Sequence, residues 1–339
     1  MAAPRPFTSG PLIAARLLAT LAVVFCLPCA LSRPSAADAA PLASGRWIVS
    51  RSMQVAIEEN GKDGPQLTDG MATLKLACGG PGSRIAFFRV VHDAPREDGW
   101  RTKISVIGLD GRGLRELTGG AHADFNPTWT RDGSNLVIFN RFAPRGWGSN
   151  DVYLVRPDGR PGDEVLVSDP ARKFEFANSG LRDGRIFIDR FERDPETKAV
   201  VMRSFLLTPR PGGIGIYEEV ERPLQRFWHK LSLSPSETKV VYLLDTKEKL
   251  SYYDAVVQIA DFDAARRIVS NPFSITDPSP TCIHEYPRWS PDEQYVIYDS
   301  NCSGRFQIYA YRLADGTTHR ISPDPELNYR YACFESVAP

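Results

Sequence analysis

Residues 286–300 read YPRWSPDEQYVIYDS, and residues 307–322 continue as QIYAYRLADGTTHRIS. A short apolar run meets the turn Ser290-Pro291-Asp292, an alternating strand leaves it, and two further strands flank a second turn at Asp315-Gly316. This pattern predicts one four-stranded antiparallel meander. The same meander fits residues 126–168: NPTWTRDGSNLVIFN, then DVYLV, then the outer turn RPDG, then Val167-Ser168. Fixed-period self-similarity outweighs any local motif. Each unit closes on an aliphatic residue followed by a small hydroxyl residue: Leu67-Thr68, Leu117-Thr118, Val167-Ser168, Val269-Ser270 and Ile321-Ser322. These pairs are spaced by 50, 50, 102 and 52 residues. The double step hides one degenerate unit ending near Val220, so six units fill the chain.

Six strand-patterned units, with no helical stripe of apolar residues between them, predict an all-β chain: a six-bladed β-propeller of four-stranded antiparallel blades. The first unit, with strands at residues 47–50 and 54–57, is one strand short. Residues 328–335, NYRYACFE, form a single apolar-alternating strand with nothing after it. The C-terminal strand therefore joins the N-terminal blade and closes the ring, which removes the free edge at the seam. Asn60-Gly61 and Asp63-Gly64 read as turn signals in that blade. In the next, the glycine-rich stretch 79–82 replaces the Ser-Pro-Asp turn. Trp129, Trp289, Phe139 and Tyr298 recur at matching positions and are assigned to packing between blades.

The domain plan is a signal peptide at residues 1–39, a short linker at 40–45 and the propeller at 46–339. Arg5 and Arg16 precede the apolar run LLATLAVVFCLPCAL, which is short and proline-broken for a membrane span. Ala37-Asp38-Ala39 then supplies the small residues of a cleavage site. The expectation is a mature chain with no membrane span, periplasmic or secreted, with a retained N-terminal anchor as the alternative. The whole chain is formally neutral, and removing three arginines and one aspartate with the leader leaves −2. That balance offers no phosphate-tracking surface, so no nucleic-acid partner is expected. A monomer is expected.

Cleavage leaves four cysteines in a compartment where disulfides persist. Cys282 precedes the inner strand of its blade and Cys302 lies in the hairpin where the chain returns to the same end, so these two are expected to pair. Cys78 and Cys333 align in neighbouring inner strands; they either bridge or form a buried reduced pair.

With WSPDEQYVIYDS and YRLADGTTHRIS in one unit and WTRDGSNLVIFN and VRPDG in another, the chain resembles the TolB-like six-bladed β-propellers over about residues 46–339. The resemblance implies an envelope location and a ligand bound at the mouth of the central channel; the family's periplasmic namesake binds the peptidoglycan-associated lipoprotein. It also carries a mixed α/β domain ahead of its propeller, for which the few residues between the expected cleavage site and the first strand leave no room.

No Gly-x-Ser-x-Gly elbow, Walker loop or Cys/His zinc spacing is present. The residues leading into the inner strands are Asp124 and Phe125, Glu175 and Phe176, Trp228 and His229, His284 and Glu285, and Asn328 and Tyr329 followed by Arg330. Ringed at one channel mouth, Asp124, Glu175, His229, His284, Glu285 and Arg330 are the candidate ligand-binding set. Such a ring also collects charge simply because it is wet. Two readings of different classes follow. The first is a non-catalytic binding or scaffolding propeller for a protein or cell-envelope ligand, without a cofactor. The second is a metal-assisted carbohydrate-active lyase that holds a divalent ion on the His and carboxylate side chains.

Overall fold

The computed structural model describes residues 46–334 apart from 60–61, 70–72, 92–100, 120–121, 143–149, 173, 211, 224–225, 248–253 and 280. The expected signal peptide, its cleavage site and the Asn60-Gly61 turn lie outside the described residues.

The described residues form 24 strands in six four-stranded antiparallel sheets, arranged as the blades of a propeller. Blade 1 is the seam. Its order is β24 (Tyr329–Phe334), β1 (Arg46–Arg51), β2 (Gln54–Glu59) and β3 (Lys62–Gln66), from the axis outward. Blade 2 holds β4 (Thr73–Gly80), β5 (Arg84–Val90), β6 (Thr102–Gly108) and β7 (Arg115–Glu116). Blade 3 holds β8 (Asp124–Trp129), β9 (Val137–Phe142), β10 (Asn150–Val155) and β11 (Val165–Leu166). Blade 4 holds β12 (Glu175–Gly180), β13 (Ile186–Arg193), β14 (Val200–Arg210) and β15 (Gly213–Val220). Blade 5 holds β16 (Trp228–Leu233), β17 (Lys239–Asp245), β18 (Ala255–Asp263) and β19 (Ile268–Ser274). Blade 6 holds β20 (His284–Trp289), β21 (Tyr295–Ser300), β22 (Gln307–Arg312) and β23 (Thr318–Arg320). The expected closure is present: Ile48 faces Cys333 and Arg51 faces Tyr329 across the β1–β24 ladder.

A blade is covered on both faces by its neighbours, so its second strand reads as a continuous buried run instead of an alternating one. All six residues of β21 are buried, and so are six of the seven in β17. The core follows directly: six apolar layers, one at each interface between adjacent blades. Trp129 and Phe139 sit in the layer between blades 2 and 3, and Trp289 and Tyr298 in that between blades 5 and 6. Trp129 donates its indole N–H to the Ala77 carbonyl at 2.9 Å, and Trp289 donates to that of Ser232 at 3.2 Å. Each indole thus ties one inner strand to the next. A Cβ on Gly80 would run into the Trp129 ring, which explains a glycine-rich turn in that blade. The outer edges of blades 2 and 3 are short, two residues each in β7 and β11, which limits the unpaired backbone an edge presents.

The closing hydroxyls have a specific task. Thr68, Thr118, Ser168 and Ser322 accept the backbone N–H of Val55, Ile104, Val152 and Ile308 at 2.9–3.2 Å, on strands that their own blade's edge no longer covers. In blade 5 that task falls to Thr276, which accepts from Val257 at 2.9 Å, and not to Ser270. Ser270 lies inside β19, because the outer hairpin of this blade is longer than that of blade 6. Asp63-Gly64 is likewise a strand segment in β3 and not a turn. Asp63 is held there by the Tyr329 hydroxyl at 2.7 Å and the Gly64 carbonyl by Arg51 at 3.1 Å.

Both disulfides are formed. Cys282–Cys302 closes a 20-residue loop at the leading end of blade 6, with Cα atoms 4.7 Å apart. Cys78–Cys333 joins β4 to β24 with Cα atoms 5.9 Å apart.

Candidate functional site at the channel mouth

Five of the six inner strands carry a bulge at their third residue. At these positions the residue is left-handed although none is glycine: Lys75 (φ 39°), Asn126 (55°), Lys230 (56°), Tyr286 (49°) and Tyr331 (59°). Each coincides with a register shift against the second strand. An L-residue in this region costs about 1–2 kcal/mol, and a bulge re-aims the side chain it carries. Here it turns five side chains toward the axis, where they meet residues of other blades. Blade 4 departs from the rule: its left-handed residue, Phe174, precedes the strand.

Tyr286 of blade 6 is the centre of the cluster. The ammonium of Lys230, from blade 5, lies 4.1 Å from its ring centroid. That of Lys75, from blade 2, lies 5.8 Å away, and the Arg330 guanidinium of blade 1 lies 5.7 Å away. These are cation–π distances. The Tyr331 ring meets Tyr286 edge-on at 4.4 Å. Arg330 is also stacked on Phe306 at 4.0 Å.

Two carboxylates serve these cations. Glu285 binds both Lys230 and Arg330, and Asp299 lies 3.5 Å from the Arg330 Nε while accepting the Tyr331 N–H at 2.9 Å. Burial pushes the Asp299 carboxyl well above the usual carboxylate range, against the Tyr331 N–H and the charges of Lys230 and Arg288. Lys75 has a neutral partner, the Asn126 side-chain oxygen at 2.9 Å. Burial first, then Arg288 and Lys230, hold the Lys75 ammonium well below its usual pKa. Burial first, then Arg330, lowers Lys230 likewise, opposed by Asp299 and Asp245.

The residues expected from sequence divide into two groups. Glu285 and Arg330 stand in this cluster, joined to each other. Asp124 and Glu175 instead face arginines on their own second strands. Arg141 grips Asp124 through two nitrogens at 2.6 and 2.9 Å, while lying 4.7 Å from the Tyr153 ring. Arg190 donates its Nε to Glu175 at 2.7 Å and is sandwiched between Phe205 and Tyr217 at 4.3 and 4.5 Å. The Tyr217 hydroxyl completes that site, donating to Glu175 at 3.0 Å. His229 sits 3.3 Å from Asp245, and burial lowers its pKa against that carboxylate. His284 lies beside the Cys282–Cys302 disulfide and edge-on to Tyr298 at 5.7 Å. Trp228 belongs to the core; its indole donates to the buried Asp189 carboxylate at 2.9 Å.

Among the described residues, one group of three His, Cys or acidic side chains brings ligand atoms within 4.8 Å of one another: Cys282, His284 and Cys302. With both sulfurs in a disulfide, that group offers one good metal donor, His284, since the thiolate is the ligand. The residues present therefore do not fit a divalent ion there.

Lys75, Lys230, Tyr286, Arg288 and Tyr331 were not among the sequence-derived candidates. The aligned inner strands of blades 3, 5 and 6 do contain the signal: the bulged position is one residue beyond the pair that leads into the strand.

No family model and no curated protein matches the chain. Solved structures do. Kuenenia stuttgartiensis hydrazine synthase superposes with a TM-score of 0.62 at 12% identity, over 86% of this chain and 46% of that one. TolB from Acinetobacter baumannii gives 0.61 at 14%, over 85% and 65%. A chain of the nidogen/laminin complex gives 0.56 at 8%, over 85% and 97%. The chain thus spans about half of the first and just under two thirds of the second. Identities this low speak to the fold alone, a six-bladed β-propeller similar to that of TolB.

Proposed function

We propose that the protein is an exported, non-catalytic binding propeller that holds a protein or cell-envelope ligand at the channel mouth, in the periplasm or outside the cell. The observation that carries this reading is the set of five strained, non-glycine bulges. They aim charged, amide and aromatic side chains from five blades at one end of the channel, at a conformational cost of about 1–2 kcal/mol each. Strain of this kind concentrates where ligands are held. Export is supported by the expected leader peptide and by the pairing of all four cysteines of the propeller. The nidogen/laminin complex supplies a propeller of similar fold in a protein assembly. Among the described residues, no helix is long and apolar enough to cross a membrane.

The test is an affinity capture from envelope extract with three baits: the mature protein, a Lys230→Glu/Tyr286→Ala variant at the mouth, and an Arg131→Ala variant at the other end of the channel. A partner retained by the first and third baits and lost with the second is expected. A partner held equally by all three would overturn the placement.

A further inference from the structure

We propose that the channel mouth is an anion site that takes a phosphoryl group, held between Lys75, Lys230, Arg288 and Arg330 over the face of Tyr286. This deepens the binding function proposed above and rests on it. Four cations from four blades enclose one end of the channel. Two of them, Lys75 and Arg288, have no carboxylate within 4.0 Å among the described residues. Lys75 is only 7% exposed, and an ammonium buried to that extent ordinarily has a counter-ion. The charges of Arg288 and Lys230 act on it unfavourably. Arg330 is paired with Glu285 and Asp299, but its buried Nε makes no hydrogen bond among the described residues.

The carboxylates present do not restore the balance. Glu285 is shared by Lys230 and Arg330, Asp245 is engaged with His229, and burial drives Asp299 toward its neutral form. The same burial draws Lys75 and Lys230 toward the neutral amine, so an anion entering among them supplies the counter-charge that holds their protons. A dianion with several acceptor oxygens relieves the Lys75–Arg288–Lys230 repulsion at a stroke. Arginine and lysine together, one planar and one compact, are the pairing that phosphoryl groups select.

The experiment is calorimetric titration of the mature protein with inorganic phosphate and with glycerol phosphate, repeated on Lys75→Met and Arg288→Met. Saturable binding of at least one of the two is expected, weakened roughly ten- to a hundredfold in each variant. Tighter binding of glycerol phosphate assigns the site to a carried phosphoryl group, and tighter binding of inorganic phosphate to the free ion. No heat with either probe, or affinities that the two variants leave unchanged, would overturn the inference. Melting curves of both variants show that they are folded, since each exchanges a buried cation for an apolar side chain of similar length. Because the capture experiment does not depend on phosphate, a partner recovered through the mouth without phosphate binding sinks this inference and leaves the binding function standing. Phosphate binding without any captured partner does the reverse for a protein ligand.

Discussion

The two ends of the channel are made from the same strands and treat their charges in opposite ways. At the turn end, where inner strands pass to second strands, every engaged cation finishes on an oxygen. Arg131 of blade 3 reaches over blade 4 to the Ser234 and Pro235 carbonyls of blade 5, at 3.1 and 2.7 Å. Arg182 joins it on Pro235 at 2.7 Å and offers its backbone N–H to Glu237 at 2.8 Å. Glu293 of blade 6 in turn holds the hydroxyl of Ser236 at 3.0 Å. These bonds knit the turns of blades 3, 4, 5 and 6 across the axis. At the mouth, Lys75, Lys230 and Arg330 crowd one tyrosine, and the buried ammonium of Lys75 ends on a neutral amide oxygen. One end is built to hold the ring, and the other holds a charge imbalance in reserve.

Removing the closing strand abolishes the contrast altogether and is the largest effect expected. Tyr331 and Cys333 belong to the apolar layer between blades 1 and 2, and Tyr329 and Ala332 to the layer between blades 6 and 1. Deleting residues 326–339 opens both layers, so the truncated protein should be insoluble or lack a cooperative melt. A truncated protein that melts like the full chain would show that the seam does not hold the ring.

The two disulfides sharpen the comparison, because one staples inner strands and the other only a loop at the mouth. Cys78–Cys333 spans 255 residues and Cys282–Cys302 spans 20. The chain-entropy model rates them at roughly 5 and 3 kcal/mol. Denaturant unfolding of Cys78→Ser/Cys333→Ser should therefore show the larger loss and Cys282→Ser/Cys302→Ser the smaller. The reverse order would mean that the mouth loops carry more of the fold than the seam does.

A smaller effect, away from both ends, is a pH dependence from Glu58, which is fully buried in the seam blade 3.1 Å from Arg51. Burial, opposed by Arg51, pushes its carboxyl up to about 8. Between its ordinary value of 4.5 and about 8, the folded chain keeps a proton that the unfolded chain has released. Stability due to this group is thus intact below the lower value and is lost as pH rises toward the upper one. Thermal melts from pH 5 to pH 8 should fall, and Glu58→Gln should flatten that fall. An unchanged slope in the variant would assign it to other groups.

The blade count, the closing strand and the interblade aromatics were legible because each rests on a repeat, and repeats survive local noise. Two features were not. Val269-Ser270 matches the closing dipeptide by pattern, yet the longer hairpin of blade 5 hands that role to Ile275 and Thr276, whose backbone and hydroxyl meet Val257 at 2.9 Å each. A turn shifted along a strand leaves no trace in composition. The strand-entry pairs named from sequence in blades 3, 5 and 6 stop one residue short of the bulged positions. Alternation fixes which face a side chain takes only while the pleat is regular, and the bulges at Lys75, Lys230 and Tyr286 break it. Asp124 and Glu175 looked available for ligands because their partners, Arg141 and Arg190, become neighbours only through cross-strand register.

The contrast between the ends is tested most directly by melting Arg131→Ala and Lys75→Met beside the unmodified protein, with no ligand added. Arg131→Ala removes charged hydrogen bonds to two carbonyls and should cost about 1–3 kcal/mol. Lys75→Met removes a buried ammonium that lacks a counter-ion, and should leave the melting temperature unchanged or raise it. A Lys75→Met protein destabilised as much as Arg131→Ala would contradict the division, because the mouth cations would then be holding the ring and not waiting for a ligand.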